Sequence, residues 1–350
     1  MQLKDDFVFE PLPAIEKPIH FPFPKIPNPL GPLAALVGTW GGKGFNVIWR
    51  PNHTPGQDRF LELNLTNDGI QFEAISGAIP NRGLLQPDIN MFGITYLQQI
   101  SDANLNAGLH IEPGIWAVVP ATTNPAEVPT VVRMASIPHG TTILAQGTSS
   151  TAAGPPVIPN DNILPFTIGH PTATFNFPEQ TLTTPSAFRS PPAQIVGITQ
   201  TMVNNPNSVL QAAISGQTIL STTTLKVDTK PTSPVTGGGT SNTAFLAGSA
   251  GGPNAVSVEV SATFWIETVK GTPNFLQLQY SQLVLLNFNG LSWPHVTVAT
   301  LKLNVPVIVP PWKVDPSEKM IEQLRPARVN PGDPVENFTA VETEITKSQE

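Results

Sequence analysis

Apolar and polar residues alternate with a period of two in many short runs of this chain, and turn-forming residues separate the runs. Residues 60–65 read Phe-Leu-Glu-Leu-Asn-Leu, and further runs follow at 70–74, 92–100, 109–119, 130–137, 141–147, 218–227, 255–269, 275–287 and 293–303. Successive side chains of a β-strand point to opposite faces, so this alternation predicts strands with one buried face. The 39 prolines and 27 glycines indicate that the chain contains many turns. We therefore expect an all-β, antiparallel fold.

The composition excludes several functional classes. The 350 residues carry a formal net charge of −7, whereas nucleic-acid-binding surfaces are normally basic. Cysteine is absent, so neither disulfides nor thiolate metal sites can form. No apolar run approaches the roughly 18 residues that cross a bilayer, and the first residues lack the pattern of a signal peptide. We expect a cytoplasmic protein with neither a nucleic-acid nor a membrane partner.

The pattern divides the chain into a central strand-rich region and two extended, proline-rich termini. Residues 1–35 form a proline-rich arm (Phe21-Pro-Phe-Pro-Lys-Ile-Pro27), which favours an extended conformation laid over another surface. One alternative for this arm is docking on a second copy, which would make the protein a homo-oligomer. The strand-rich region covers 36–303 and contains a long insertion at about 148–254 that is rich in Pro, Ser, Thr and Gly. Residues 304–350 form a tail with a short helix.

Two local signals refine this division. Asn67-Asp-Gly69 predicts a hairpin turn between two strands. Within the insertion, one short helix is expected, with Asn205 as its cap, Pro206 in its first turn and Gly216 after its end. This helix is either a lid over a cavity or a plug for one end of a barrel.

Roughly ten strands in an up-and-down series predict a closed antiparallel β-barrel or a sandwich, and we favour the barrel. Closure removes edge strands and leaves a cavity for one small ligand. The segment Gly38-Thr-Trp40-Gly-Gly42-Lys-Gly44 suits the closing strand. Its glycines permit close backbone approach, and Trp40 can plug the base of the barrel.

The last strand carries the candidate ligand-binding histidine. Period two places Trp293, His295, Thr297, Ala299, Leu301 and Leu303 on one face and Lys302 on the other. Because Lys302 should reach water, His295 should point into the barrel. A buried imidazole must bind a metal or form a hydrogen bond, for example to a backbone carbonyl.

Three sequence blocks carry a resemblance to a known family. The glycine segment above is followed by Leu109-His-Ile-Glu-Pro-Gly-Ile-Trp116 with Ile137-Pro-His-Gly140, and then by Trp293-Pro-His295. In this order they resemble nitrobindins, haem-binding β-barrels related to fatty-acid-binding proteins and lipocalins. The resemblance covers roughly residues 36–147 and 255–303.

This resemblance implies the cofactor and its surroundings. It implies haem b with His295 as the iron ligand, and Leu109, His110, Ile137 and Leu285 around the haem. Alternation alone groups His110 with Glu112 and predicts that both point outward, unless a bulge intervenes. Where the family has a threonine after the glycine segment, this chain has Arg50.

The function expected from the resemblance is a b-type haem protein that reacts with nitric oxide, peroxynitrite or peroxide. As an enzyme it would be a peroxynitrite isomerase or a weak peroxidase, with His139 either a distal base or a solvated turn residue. Two alternatives remain open. One is a haem-free, lipocalin-like carrier of a hydrophobic small molecule, and the other is a haem enzyme whose organic substrate is bound by the insertion.

Overall fold

A computed structural model describes residues 29–54, 57–137, 140–242 and 255–303. Most of the arm, the tail with its expected helix, and His139 lie outside these residues. Two short α-helices, α1 Gln200–Asn204 and α2 Ser208–Ile214, and two 3₁₀ helices, Gly31–Leu36 and Pro178–Gln180, accompany the strands. The strands are β1 Gly38–Thr54, β2 Gln57–Ala74, β3 Ile79–Asn81, β4 Ile89–Asp102, β5 Gly108–Val119, β6 Thr122–Thr123, β7 Ala126–Glu127, β8 Thr130–Ser136, β9 Thr141–Ala153, β10 Phe166–Thr167, β11 His170–Thr174, β12 Ile219–Asp228, β13 Gly237–Asn242, β14 Val256–Val269, β15 Phe275–Phe288 and β16 Leu291–Leu303.

Ten of these strands form a closed antiparallel barrel. Each pairs with its neighbour in the order β1-β2-β4-β5-β8-β9-β12-β14-β15-β16, and β16 pairs again with β1 from Trp40–Leu303 to Ile48–His295. Because consecutive barrel strands are neighbours throughout, the connectivity is up-and-down. The all-β barrel expected from the alternation is confirmed.

Glycines allow the barrel to close between β1 and β16. A Cβ atom on Gly42 would lie 2.0 Å from the carbonyl oxygen of Thr300, and one on Gly44 would lie 2.3 Å from that of Val298. Real Cβ atoms do not approach backbone oxygens so closely, so only glycine permits this strand pairing.

An apolar core fills one half of the barrel lumen. It includes Trp40, Phe72, Trp116 and Phe264. The 3₁₀ helix Gly31–Leu36 packs against this core through fully buried leucines, and Trp40 Nε1 donates a hydrogen bond to the carbonyl oxygen of Leu36 at 2.6 Å. Burial of each large apolar side chain contributes about 1.5–3 kcal/mol. This end of the barrel is therefore closed.

The segment Asn67-Asp68-Gly69 is not a turn, and that prediction was wrong. The three residues lie in the middle of β2, where Gly69 pairs with Gly41, while the pairing of Thr54 with Gln57 places the chain reversal nearer the start of β2. The side chain of Asp68 is buried and accepts a hydrogen bond from the hydroxyl of Tyr280. The hydrogen bond from Tyr280, which is distant in sequence, thus outweighs the turn preference of Asn67-Asp68-Gly69.

The boundaries of the insertion also need correction. Residues 148–153 belong to β9, whereas the strand predicted at 218–227 is present as β12; both are barrel wall. The glycine triplet starting at Gly237 begins β13, which pairs with the first half of β9 where β12 pairs with the second half. β13 thus continues the line of β12 after an intervening loop, residues 229–236.

Residues 154–218 pack on the outside of the barrel. The Trp49 indole donates to the carbonyl oxygen of Ile163 at 2.9 Å, and Leu210 of α2 lies in an apolar cluster with outward-facing residues such as Val298. Helix α2 is therefore neither a lid nor an end plug, because it lies against the outer wall. Trp293 also joins this outer cluster, contrary to the face predicted for it, and stacks on Phe288.

In the described part of the chain, no helix is long and apolar enough to span a membrane.

Candidate functional site

The half of the lumen opposite the apolar core contains a cavity of about 480 Å³. Small-molecule sites commonly measure about 300–1,000 Å³. Its apolar wall is formed by Ile48, Ile100, Leu109, Ile137, Val284 and Leu286. Its polar lining includes Asn46, Arg50, Glu62, Gln98, His110, Asn242, Tyr280, Gln282, His295 and Thr297.

Four of the five residues singled out in the sequence line this one cavity. They are His295, His110, Leu109 and Ile137. Leu285 does not line it, whereas its neighbours Val284 and Leu286 do. Side chains alternate along β15, and its even-numbered residues face the lumen. The placement of Leu285 in the pocket was therefore wrong by one position.

Leu109 and His110 both line the cavity although they are adjacent in sequence. His110 pairs with Ile100, whereas Gly108 pairs with Ser101, so Leu109 is the extra residue of a β-bulge. The bulge that would reconcile the alternation with the resemblance is thus present at the start of β5. His110 and Glu112 do share a face, but it is the inner one, and the predicted outward orientation was wrong.

A layer of polar side chains crosses the lumen between the apolar core and the cavity. Along β15, Leu278 belongs to the apolar core, Tyr280 to this layer, and Val284 to the cavity wall. All members are buried, and together we call them the polar layer: Asp68, Tyr96, Gln98, Glu112, Arg133, Tyr280 and Gln282.

Arg133 joins three strands within the polar layer. Its guanidinium donates to the hydroxyl of Tyr96 at 2.9 Å, to Oε1 of Gln282 at 2.6 Å and to a carboxylate oxygen of Glu112. The other oxygen of Glu112 lies 3.2 Å from Nε2 of His110. Burial opposes ionisation of Glu112, yet the adjacent guanidinium lowers the pKa of this carboxyl to about 2. Glu112 and Arg133 are therefore a fully buried ion pair.

The second half of the polar layer contains a carboxyl group that forms no salt bridge among the described residues. Tyr280 donates its hydroxyl proton to Oδ2 of Asp68 and accepts a hydrogen bond from Nε2 of Gln98 at 2.9 Å. In the described residues, Oδ1 of Asp68 has no hydrogen-bond partner. Burial raises the pKa of Asp68 from 3.8 to about 6.

His295 is partly buried and bonded to a side-chain amide. Its Nε2 lies 2.8 Å from Oδ1 of Asn46, which also accepts a hydrogen bond from the Thr297 hydroxyl at 2.9 Å. Asn46 donates in turn to Asn64, and Asn64 donates to Asp102 at 2.8 Å. This chain of bonds fixes the imidazole against the wall between β1 and β16.

The residues around His295 are compatible with binding of a haem iron, which would break one hydrogen bond of His295. In the described residues, no group of three or more His, Asp or Glu side chains could hold a bare metal ion, but haem iron needs only one imidazole from the protein. Binding iron through Nε2 would remove the hydrogen bond from His295 to Asn46. Oδ1 of Asn46 would keep the bond from Thr297, so no buried acceptor would be left unsatisfied.

The polar layer was not predicted from the sequence, although the alternation pattern of two strands indicated it. Arg133 shares its strand face with Val131 and Ala135, and Glu112 shares its own with Trp116, all of which are buried. A charged residue in phase with apolar neighbours on each of two strands is the pattern of an internal ion pair.

Comparison of the chain with protein-family models and with curated proteins found no match, and the comparisons therefore show no family.

Proposed function

We propose that this barrel binds haem b in its cavity, with His295 as the iron ligand. The observation that carries the proposal is that His295, His110 and an apolar wall surround one cavity of about 480 Å³ inside a closed barrel. A porphyrin is flat and largely apolar, and its carboxylates seek water or cations. The resemblance to nitrobindins supports the same ligand.

Each part of the cavity has a role in this proposal. Haem would supply an iron with an open position for nitric oxide, peroxynitrite or peroxide. Arg50 lines the cavity with a side chain that is 41% exposed, and it already bonds Glu62 at 2.8 Å. It therefore marks the side where the haem carboxylates would meet solvent. Glu112 holds His110 at the cavity wall, where the imidazole can accept or return a proton during a reaction with peroxynitrite or peroxide.

Haemin titration of the full-length protein tests the proposal. The wild type should develop a Soret band that saturates at one haemin per chain, and His295→Ala should lose or strongly shift this band. His170→Ala is the matched control, because His170 is exposed on β11 and does not line the cavity. Identical spectra for wild type and His295→Ala would refute His295 as the ligand.

A haem-free carrier of a hydrophobic small molecule is the second candidate. The observation in its favour is the bond between Nε2 of His295 and Asn46, which gives the imidazole a structural role without any metal. A colourless purified protein whose organic extract contains a bound apolar compound would favour this candidate. In both cases the ligand is a small molecule inside the barrel.

The third expectation, a substrate site built by the insertion, has little support. Among the described residues of 148–254, Asn242 alone lines the cavity. The described residues of 154–218 instead cover the outer wall.

A further inference from the structure

The amide group of Gln282 has one fixed orientation. Its Oε1 accepts a hydrogen bond from the guanidinium of Arg133 at 2.6 Å. Arginine offers only donors, so the oxygen of the amide must face Arg133 and the nitrogen must face away. Gln282 is 7% exposed and lines the cavity. Within the described chain, no hydrogen bond reaches its Nε2, and this atom is not sealed off from solvent, so a hydrogen-bond donor lies at the cavity surface.

The amide of Gln98 has the complementary orientation. Its Nε2 donates to the hydroxyl oxygen of Tyr280 at 2.9 Å, because Tyr280 gives its own proton to Asp68. At pH 7.5 the carboxyl of Asp68 is mostly ionised, since burial raises its pKa only to about 6. Gln98 is 3% exposed and also lines the cavity. Its Oε1 has no hydrogen-bond partner in the described residues and is not sealed off from solvent, so it is an acceptor at the cavity surface.

Both amides lie next to Tyr280 at the floor of the cavity. Tyr280 and Gln282 are two residues apart on the inner face of β15, and Gln98 is bonded to Tyr280. A ligand that fills the cavity displaces water from both amide atoms, so a ligand that bonds both is favoured over one that bonds neither.

The charges of the polar layer select against anions. The guanidinium of Arg133 is neutralised by Glu112, and both side chains are at most 1% exposed. Asp68 adds a negative charge at pH 7.5. An anionic head group at this floor would therefore lose its hydration without gaining a cation in return.

We propose that Gln98 and Gln282 form a subsite for a neutral head group that accepts one hydrogen bond and donates another, the chemistry of a primary carboxamide. The apolar body of such a ligand lies against the apolar wall of the cavity. The subsite uses residues other than His295, and its ligand occupies the cavity when haem does not.

Three probes of equal chain length test the head-group chemistry: octanamide, N,N-dimethyloctanamide and octanoate. Full-length protein expressed under iron limitation, so that haem does not fill the cavity, is titrated with each at pH 7.5 by calorimetry. Octanamide should bind about tenfold more tightly than octanoate and about tenfold more tightly than the dimethyl amide, which cannot donate. Equal or tighter binding of octanoate, or binding of none of the three, would overturn the proposal.

Two variants assign the preference to the two glutamines. Gln282→Glu keeps an oxygen for Arg133 but removes the donor, so it should weaken both amides about tenfold. Gln98→Met removes the acceptor, so octanamide and its dimethyl derivative should bind equally. Gln99→Glu is the control, because Gln99 is on the outer face of β4, and it should bind all three probes like the wild type. Wild-type affinities in both Gln98→Met and Gln282→Glu would contradict the subsite.

The haemin titration distinguishes the two proposals. If the amide preference is absent while the His295-dependent Soret band is present, the floor subsite fails and haem binding stands. If the amide preference is present but no His295-dependent Soret band forms, the subsite stands and the haem proposal is refuted.

Discussion

Replacing Asp68 with asparagine should remove a destabilising charge from the barrel interior at neutral pH. Burial raises the pKa of Asp68 from 3.8 to about 6 in the folded protein. Between these values the folded protein holds a proton that the unfolded chain releases, so the stability from this group falls as pH rises. One pKa unit is worth about 1.4 kcal/mol, so the full loss is about 3 kcal/mol. Asparagine keeps an oxygen for the Tyr280 hydroxyl and never becomes charged.

Urea unfolding of wild type and Asp68→Asn at a series of pH values from 4 to 7 measures this effect. The stability of the variant relative to wild type should increase by about 2.4 kcal/mol across this range, since the unfolded chain is already partly ionised at pH 4. Other titrating groups, such as Glu267, whose pKa burial raises to about 7, are present in both proteins and cancel in the difference. Asp58→Asn is the matched control, because Asp58 is an exposed residue of the same strand. If the difference in stability between wild type and Asp68→Asn does not change with pH, the burial of the Asp68 carboxyl is refuted.

Two further substitutions test the interior and the closing strand. Arg133→Met should destabilise the protein by about 3–5 kcal/mol in urea unfolding at pH 7, since it leaves Glu112 buried without its partner. The exposed ion pair of Arg82 provides the control, and Arg82→Met should change stability by less than about 1 kcal/mol. Gly42→Ala should abolish folding, seen as loss of soluble protein and of the β-sheet circular dichroism signal, because its Cβ would lie 2.0 Å from a backbone oxygen. Gly140→Ala has room for a Cβ, with the nearest atom at 3.6 Å, and should fold. A Gly42→Ala protein that melts like the wild type would contradict the closing geometry.

The features predicted successfully share one property, which is that they depend on local pattern. Period-two alternation was enough to predict the all-β fold and the inward orientation of His295, because strand geometry alone sets which side chains share a face. The glycines of β1 predicted a close backbone approach for the same reason. Leu285 was placed in the pocket by its spacing from His295 in the resemblance. The alternation along the strand instead places Val284 on the same face as Tyr280, one residue away from Leu285.

The errors concern polar residues whose partners are distant in sequence. Asn67-Asp68-Gly69 has the composition of a turn, but Asp68 is paired with Tyr280 from another strand. Glu112 was expected to face solvent, but it meets Arg133 inside the barrel. For the insertion, a substrate pocket beside the cavity was one alternative, but its residues between β9 and β12 pack on an apolar surface of the outer wall instead.

The sequence by itself determined that this chain forms strands, that the strands have one apolar face, and that one histidine points inward near the end of the series. Only the tertiary structure decided what shares the lumen with that histidine. A carboxylate or a guanidinium is stable inside a protein only when its partner is held beside it. Barrel closure brings such partners together from strands that no local pattern connects, and it thereby creates both the polar layer and the cavity above it.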